Sequence, residues 1–267
     1  MFQLDHIVHV TDDPKQAVFD MQALGFHAVI GGEHENWGTH NGLCYFGLTY
    51  LEFLGMKDTR IAEKVTDNTL IQQLVAENNN GLARLALRTR NLPQAMEHFR
   101  SHELQVTGPV EGSRRQPDGT LLQWAMLFVN ESESDPFKLP FIINWKMSDQ
   151  ERKNELERQH LTASYPAGRI DLADVRIAAS DSETSAALWQ KLFGAKRANA
   201  FYDEALGAKC VRIFLGEKAL TFCQPVKDND LRRFLTTRGE RPFQLVFQGT
   251  GVNKTVSFHG AIYQFKP

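Results

Sequence analysis

Short runs with a two-residue period alternate along this chain with segments of helical period. The opening run Leu4–Val10 (L-D-H-I-V-H-V) reads as a strand and gives way to a turn at Asp12–Pro14. From Lys15 to Leu24 the apolar residues Ala17, Val18, Met21 and Leu24 recur at helical spacing, and Gly25 stops the segment. Three more strand-like runs follow, at Phe26–Ile30, Gly42–Phe46 and Tyr50–Leu54. The predicted order is β-α-β-β-β.

That order recurs from Leu82. A-R-L-A-L-R-T-R-N is a strand, Pro93–His102 a helix with proline in its first turn, and Val106–Val110, Leu121–Val129 and Leu139–Trp145 are strands. Pro-Asp-Gly at 117–119 marks a turn between two of them. A third copy starts at Leu172: L-A-D-V-R-I-A-A-S-D aligns with Q-L-D-H-I-V-H-V-T-D, Glu183–Phe193 is its helix, and Cys210–Leu215 and Ala219–Cys223 are strands. A helix over Thr69–Glu77 joins copies one and two. Two further strand-like runs, Phe243–Phe247 and Val256–Phe265, close the chain. The charge-rich stretch Ser148–His160 reads as an exposed helical linker.

One β-α-β-β-β unit leaves a sheet face bare, so units must pair. The expected fold class is therefore α+β. The first two modules form a cup-shaped half-barrel over 1–147, a linker spans 148–167, and a third module with C-terminal strands occupies 168–267. The third sheet needs either the tail or a second copy of the chain, in a homodimer, to cover it.

Composition narrows the partners. The 267 residues, 42% of them apolar, suffice for a sizeable core. A net charge of −2 argues against nucleic acid. No apolar run approaches the roughly 18 residues of a membrane span, so no membrane association is expected. The opening M-F-Q-L-D-H shows no basic leader before an apolar stretch. Cys44, Cys210 and Cys223 lack metal-ligand spacing and read as small buried apolar residues, which suits a reducing cytoplasm.

Candidate chemistry concentrates between Phe26 and Gly55. In Tyr50-Leu51-Glu52-Phe53-Leu54, Leu51 and Phe53 suit the helix-covered side, which sends Glu52 into the cup. A carboxylate there needs a cation, a metal or a proton. On the opening strand both faces carry a histidine, His6 and His9, so alternation alone does not choose between them. The loop from His34 to Asn41 offers His34, Asn36, Trp37, Thr39 and Asn41, either as a long hairpin turn or as binding groups at the mouth of a cup. Gly31 and Gly32 permit a bend, since no helix N-terminus follows them to hold phosphate. Arg114–Arg115 reads as a solvated hairpin that could also steer an anion.

D-H-I-V-H-V-T-D-D-P, a helix, L-G-F and then Y-L-E-F-L together resemble the vicinal oxygen chelate superfamily. The nearer likeness is to its glyoxalase-like branch, with its G-G-x-H, W-G-T-x-N and Y-L-E-L pattern. The resemblance covers residues 1 to about 147. It implies a pocket between paired modules, with metal ligands, where present, on the first and last strands. His6 and Glu52 match such ligands. In the second module the matching positions fall on Arg84 and Asn144, and in the third on Val175 and Thr221. Arginine has no lone pair for a metal. A divalent metal on His6 and Glu52 thus stays open, with His34 or His40 as further donors, and an Arg84–Glu52 pair is the alternative.

The reading this supports is a glyoxalase-like, lyase-type enzyme acting on a small carbonyl compound. Glu52 would take a proton from the carbon beside the carbonyl, and His6 or a metal would steady the oxyanion. Arg84 would orient an anionic substrate, while Asn144 and the loop residues line the pocket. Two alternatives remain: a non-catalytic, drug-sequestering binding protein, and a metal-dependent ring-cleaving dioxygenase, for which two histidines and a carboxylate are not assembled.

Overall fold

The computed structural model describes residues 1–77, 79–115, 119–130, 139–162 and 170–267. Pro117 and Asp118 of the expected turn and linker residues 163–167 lie outside them. The first module comprises β1 (Gln3–Val10), α1 (Pro14–Ala23), β2 (Ala28–His34), β3 (Thr39–Phe46) and β4 (Thr49–Met56). Helices α2 (Thr59–Ala62) and α3 (Thr69–Glu77) lead to the second module. This runs β5 (Gly81–Arg88), α4 (Leu92–Arg100), β6 (Gln105–Arg115), β7 (Leu121–Asn130) and β8 (Phe141–Asn144). The two modules form one sheet in the order β2-β3-β4-β1-β5-β8-β7-β6, joined where β1 and β5 pair antiparallel. Within each module the first strand pairs parallel with the last, β1 with β4 and β5 with β8.

After α5 (Asp149–Arg158) the third module follows: β9 (Asp171–Ala178), α6 (Ser182–Phe193), β10 (Lys196–Asp203), β11 (Ala208–Leu215) and β12 (Lys218–Pro225). Then come α7 (Asp230–Arg238), β13 (Arg241–Gln248), β14 (Lys254–Phe258) and β15 (Ala261–Phe265). The second sheet, β10-β11-β12-β9-β13-β15-β14, repeats the first with one strand fewer. The tail is thus an abbreviated fourth module, and it continues the third module's sheet. The expected run Val256–Phe265 is in fact the hairpin β14–β15, turning at His259 and Gly260, both with positive φ. Strand β10 has no apolar alternation to reveal it: as an edge strand it leaves both faces largely exposed.

Capping residues start the module helices at one position of the repeat. Asp13, Asn91 and Asp181 each accept backbone N–H bonds from the first turn. Two residues before each cap, a backbone amide bonds the last strand: Thr11 to Leu54 O at 3.0 Å, Thr89 to Ile143 O at 2.9 Å and Ala179 to Cys223 O at 3.0 Å. These bonds fix the structural alignment of the copies. His6, Arg84 and Asp174 are equivalent, as are Glu52, Phe141 and Thr221. Two sequence equivalences are thereby corrected. Phe141, not Asn144, stands where the second module's glutamate would be, and Asp174, not Val175, matches His6.

One continuous apolar core covers the helix-facing sides of both sheets. It takes in Ala17, Val18 and Met21 of α1, Ala95 and Phe99 of α4, and Trp189, Leu192 and Phe193 of α6. The abbreviated module lacks a helix after β13. Its back is covered by the first module instead, with Phe26 and Phe46 against Phe247 at 5.2 and 5.5 Å between ring centroids. His9 lies on this seam, with Nδ1 2.7 Å from the Tyr263 hydroxyl and Nε2 2.9 Å from His259 O. A second apolar cluster lines the concave face of the first sheet, and a third packs Leu231, Phe234 and Leu235 of α7 onto the concave face of the second. Among the described residues no helix is long and apolar enough to cross a membrane.

Candidate active site

A β-bulge in β1 builds the centre of the site. Leu4 pairs with Leu87 and His6 with Ala86, so Asp5 is an extra residue. The bulge re-aims its side chain beside that of His6. Asp5 Oδ1 lies 2.7 Å from His6 Nδ1, and Asp5 Oδ2 accepts from Trp145 Nε1 at 3.0 Å. Burial alone would raise the Asp5 pKa. The hydrogen bond from His6 and the charges of Arg152, His6 and Arg88 more than offset it and hold Asp5 below the usual carboxylate range. Asp5 is therefore an anion that accepts a hydrogen bond from His6 Nδ1–H. This leaves Nε2 facing Glu52 Oε2 at 3.6 Å, which is too long for a hydrogen bond.

Parallel pairing of β1 with β4 sets His6 opposite Tyr50 and Val8 opposite Glu52. The His6 and Tyr50 rings stack with centroids 4.6 Å apart. Burial, then the charges of Asp5 and Glu52, push the Tyr50 phenol well above its ordinary pKa, so it stays neutral. Glu52 is 7% exposed and accepts from Asn41 Nδ2 at 2.6 Å. Asn41 Oδ1 in turn accepts from the Gly32 amide at 2.9 Å and from Arg114 Nη1 at 3.4 Å. The Gly-Gly pair serves this amide: a Cβ on Gly31 would stand 2.0 Å from Asn41 Oδ1.

His34 Nδ1 is 2.9 Å from Thr39 Oγ1, and its ring packs among Trp37 and Trp124. Burial holds its pKa down at about 4 despite the Glu52 charge, so it is a neutral imidazole. Trp37, Trp124, Trp145, Phe141 and Leu54 wall the hollow, and Asn68, Leu70 and Ile71 at the start of α3 roof it. The space they enclose is about 40 Å³, enough for only a few waters.

Of the sequence candidates, His6, Glu52, His34, Trp37 and Asn41 line this hollow together. Thr39 supports His34 from behind. Asn36 is exposed on the turn Glu35–Trp37 and does not line it. Arg84 lies elsewhere. It donates to Leu139 O at 3.3 and 3.0 Å and to Thr69 Oγ1 at 2.7 Å, beneath the Phe128 ring. Burial lowers its pKa to about 10, and among the described residues no carboxylate pairs with it. Phe141 on the second module's side of the cup stands where a partner for Glu52 would have come from. Asn144 donates to Thr89 O at 2.9 Å and accepts from the Lys146 amide, which ties down the end of β8.

The sequence reading missed Asp5, Tyr50, Asn68 and the Trp124–Trp145 wall, and offered Arg114 as part of a solvated hairpin that could steer an anion. Arg114 is not solvated: β6 runs further than expected and carries it into the hollow, 8% exposed. Helix α5 is likewise more than an exposed linker. Its Arg152 and Leu156 are buried, with the Arg152 guanidinium 3.6 Å above the Trp145 ring. Their i,i+4 spacing in an otherwise charged segment was the available signal.

The four positions that supply metal ligands in paired modules are here His6, Glu52, Arg84 and Phe141. Two can donate, one is a permanent cation and one is hydrocarbon. Among the described residues no group of three or more His, Cys, Asp or Glu side chains could hold a metal ion. The residues present do not fit a divalent metal.

A curled sheet of paired β-α-β-β-β modules around a polar hollow defines the vicinal oxygen chelate fold. The family model described as a glyoxalase-like domain matches residues 4–193, and the chain belongs to that family. A hypothetical protein from Staphylococcus aureus superposes over 100% of both chains with a TM-score of 0.81 at 18% identity. A mutant of 4-hydroxymandelate synthase from Streptomyces coelicolor matches 94% of this chain and 71% of its own with a TM-score of 0.54 at 11% identity. The methylmalonyl-CoA epimerase of Streptomyces coelicolor covers 53% of this chain and 95% of its own, with a TM-score of 0.40 at 18% identity. At these identities the likeness to the first two is one of fold. No curated protein matches the chain.

Proposed function

We propose that the chain is a glyoxalase-like enzyme that removes a proton from the carbon beside a carbonyl of a small substrate, with Glu52 as the base. The observation that carries this reading is the Glu52 carboxylate on the wall of an enclosed aromatic hollow, opposite a histidine oriented by Asp5. Asn41 fixes one oxygen of Glu52, and the other faces His6 Nε2. The proton Glu52 takes can pass to His6, whose imidazolium Asp5 stabilises. Tyr50 and His34, both held neutral, are uncharged donors for the developing oxyanion.

Deuterium exchange tests this without knowledge of the true substrate. Pyruvate, 2-oxobutyrate, lactate and dihydroxyacetone are incubated with the protein in D2O and followed by proton NMR. Exchange above background is expected for at least one, and a drop of about 10²- to 10⁴-fold for Glu52→Gln. Undiminished exchange in Glu52→Gln, or no exchange across the panel, overturns the proposal.

The incomplete ligand set and the aromatic walls favour a second reading, a non-catalytic small-molecule binding protein. In that case Glu52→Gln changes affinity alone. The ring-cleaving dioxygenase reading is disfavoured, because its two-histidine, one-carboxylate set is not formed among the described residues.

A further inference from the structure

Arg114 is a buried cation without an anionic partner. It is 8% exposed and lines the same hollow as Glu52. Its hydrogen bond is the long one to Asn41 Oδ1 at 3.4 Å, and among the described residues no carboxylate stands within ion-pair distance. A guanidinium carries five donors in a planar fork and stays charged inside a protein. With a neutral amide oxygen as its hydrogen-bond partner among the described residues, its remaining donors are free to take a carboxylate bidentately.

Two other arginines lie near the hollow. Arg152 lies on the Trp145 ring close to the Asp5 charge, and Arg88 reaches Leu4 O and Asp149. Arg114 and Glu52 stand on opposite sides of one amide, that of Asn41, which takes the arginine on its oxygen and the glutamate on its nitrogen. An anionic ligand is repelled by Glu52 and attracted by Arg114, so its orientation is set by charge alone.

We propose that Arg114 is the carboxylate anchor of this site, which takes short oxo- or hydroxy-acid anions with the carboxylate on Arg114 and the reacting C–H turned to Glu52. This deepens the proton-abstraction reading and rests on it only for the second half. The hollow is small, about 40 Å³, and partly open to solvent, which suits a short acid. The role that the sequence suggested for Arg84 thus passes to a residue on β6.

The test is binding, read by the fluorescence of Trp37, Trp124 and Trp145, with pyruvate, 2-oxobutyrate and lactate against their neutral methyl esters. The wild-type protein is expected to prefer the acids by at least about tenfold. Arg114→Gln loses that preference and binds the acids about 10- to 100-fold more weakly, while Arg114→Lys, which keeps the charge, retains part of it. Glu52→Gln binds the acids as tightly as wild type or more tightly, because a repulsive charge is gone. Equal binding of acid and ester, no binding of any acid, or wild-type affinity in a folded Arg114→Gln protein overturns the assignment. The wild-type acid–ester comparison needs no variant to fold. Failure of the base role is read separately: acid preference would persist while Glu52→Gln kept its exchange.

Discussion

At matching positions of the two sheets stand His6 with Glu52 and Asp174 with Thr221. In the second sheet the pair is closed on itself. Thr221 donates to Asp174, its hydroxyl 2.9 and 2.8 Å from the two oxygens, Arg212 reaches Asp174 at 3.2 Å, and Arg176 pairs with Asp203 at 3.1 Å. Helix α7 then lays Leu231, Phe234 and Leu235 over the concave face. In the first sheet, among the described residues, Glu52 has only a neutral amide within hydrogen-bond distance, Arg114 has the same amide, and between them is a hollow. One module thus yields two outcomes. Where each charge finds its counter-charge inside the fold, the cup is filled and structural. Where one anion and one cation are kept apart by a shared asparagine, the cup is left for a ligand.

The largest test of this contrast is acid. His34 in the hollow and His9 on the seam between the sheets are each held neutral by burial, with pKa values of about 4 against about 6.5 unfolded. Between those values the unfolded chain binds protons that the folded one refuses. Stability is therefore full above about pH 6.5 and falls as the pH drops towards 4, by about 3 kcal/mol for each histidine. Denaturant unfolding across that range measures the fall, and His34→Asn should remove about half of the slope.

Next in size is Asp174→Val. It leaves Arg212 and part of Arg176 without a counter-charge and should cost about 3 kcal/mol in unfolding, with deuterium exchange per folded molecule unchanged. Lost exchange in a folded variant would mean that the second cup contributes to the chemistry, and the contrast would fail. Gly31→Ala sits in the first cup and drives Asn41 off Glu52. We expect exchange to fall by one to two orders of magnitude, equivalent to about 1.4–2.8 kcal/mol, with a smaller loss of thermal stability. The smallest effect is expected for Asn144→Ala, at the C-terminal end of β8. Loss of its two bonds should cost about 1 kcal/mol in stability and leave exchange as in wild type.

Much of the frame was legible in the residues. The caps Asp13, Asn91 and Asp181, the alternation of strand and helix periods, and the parity of Leu51, Glu52 and Phe53 are local properties, set by backbone geometry and side-chain direction within a few residues. They give the repeated module and send Glu52 inward. Strand β10 was hidden because an edge strand exposed on both faces has no apolar alternation. Helix α7 was hidden because only Leu231, Phe234 and Leu235 are apolar among its polar residues.

The amino-acid sequence by itself determined the α+β module, its repetition, and the inward direction of the strand glutamate. The tertiary structure alone decided which arginine shares that glutamate's hollow, because Arg84 and Arg114 differ in what packs around them and not in their own chemistry. It also decided the bulge at Asp5, since a shift in register depends on the partner strand β5, some eighty residues further along the chain. Burial, register and counter-charge are sums over distant neighbours, and those neighbours are chosen only when the sheet closes.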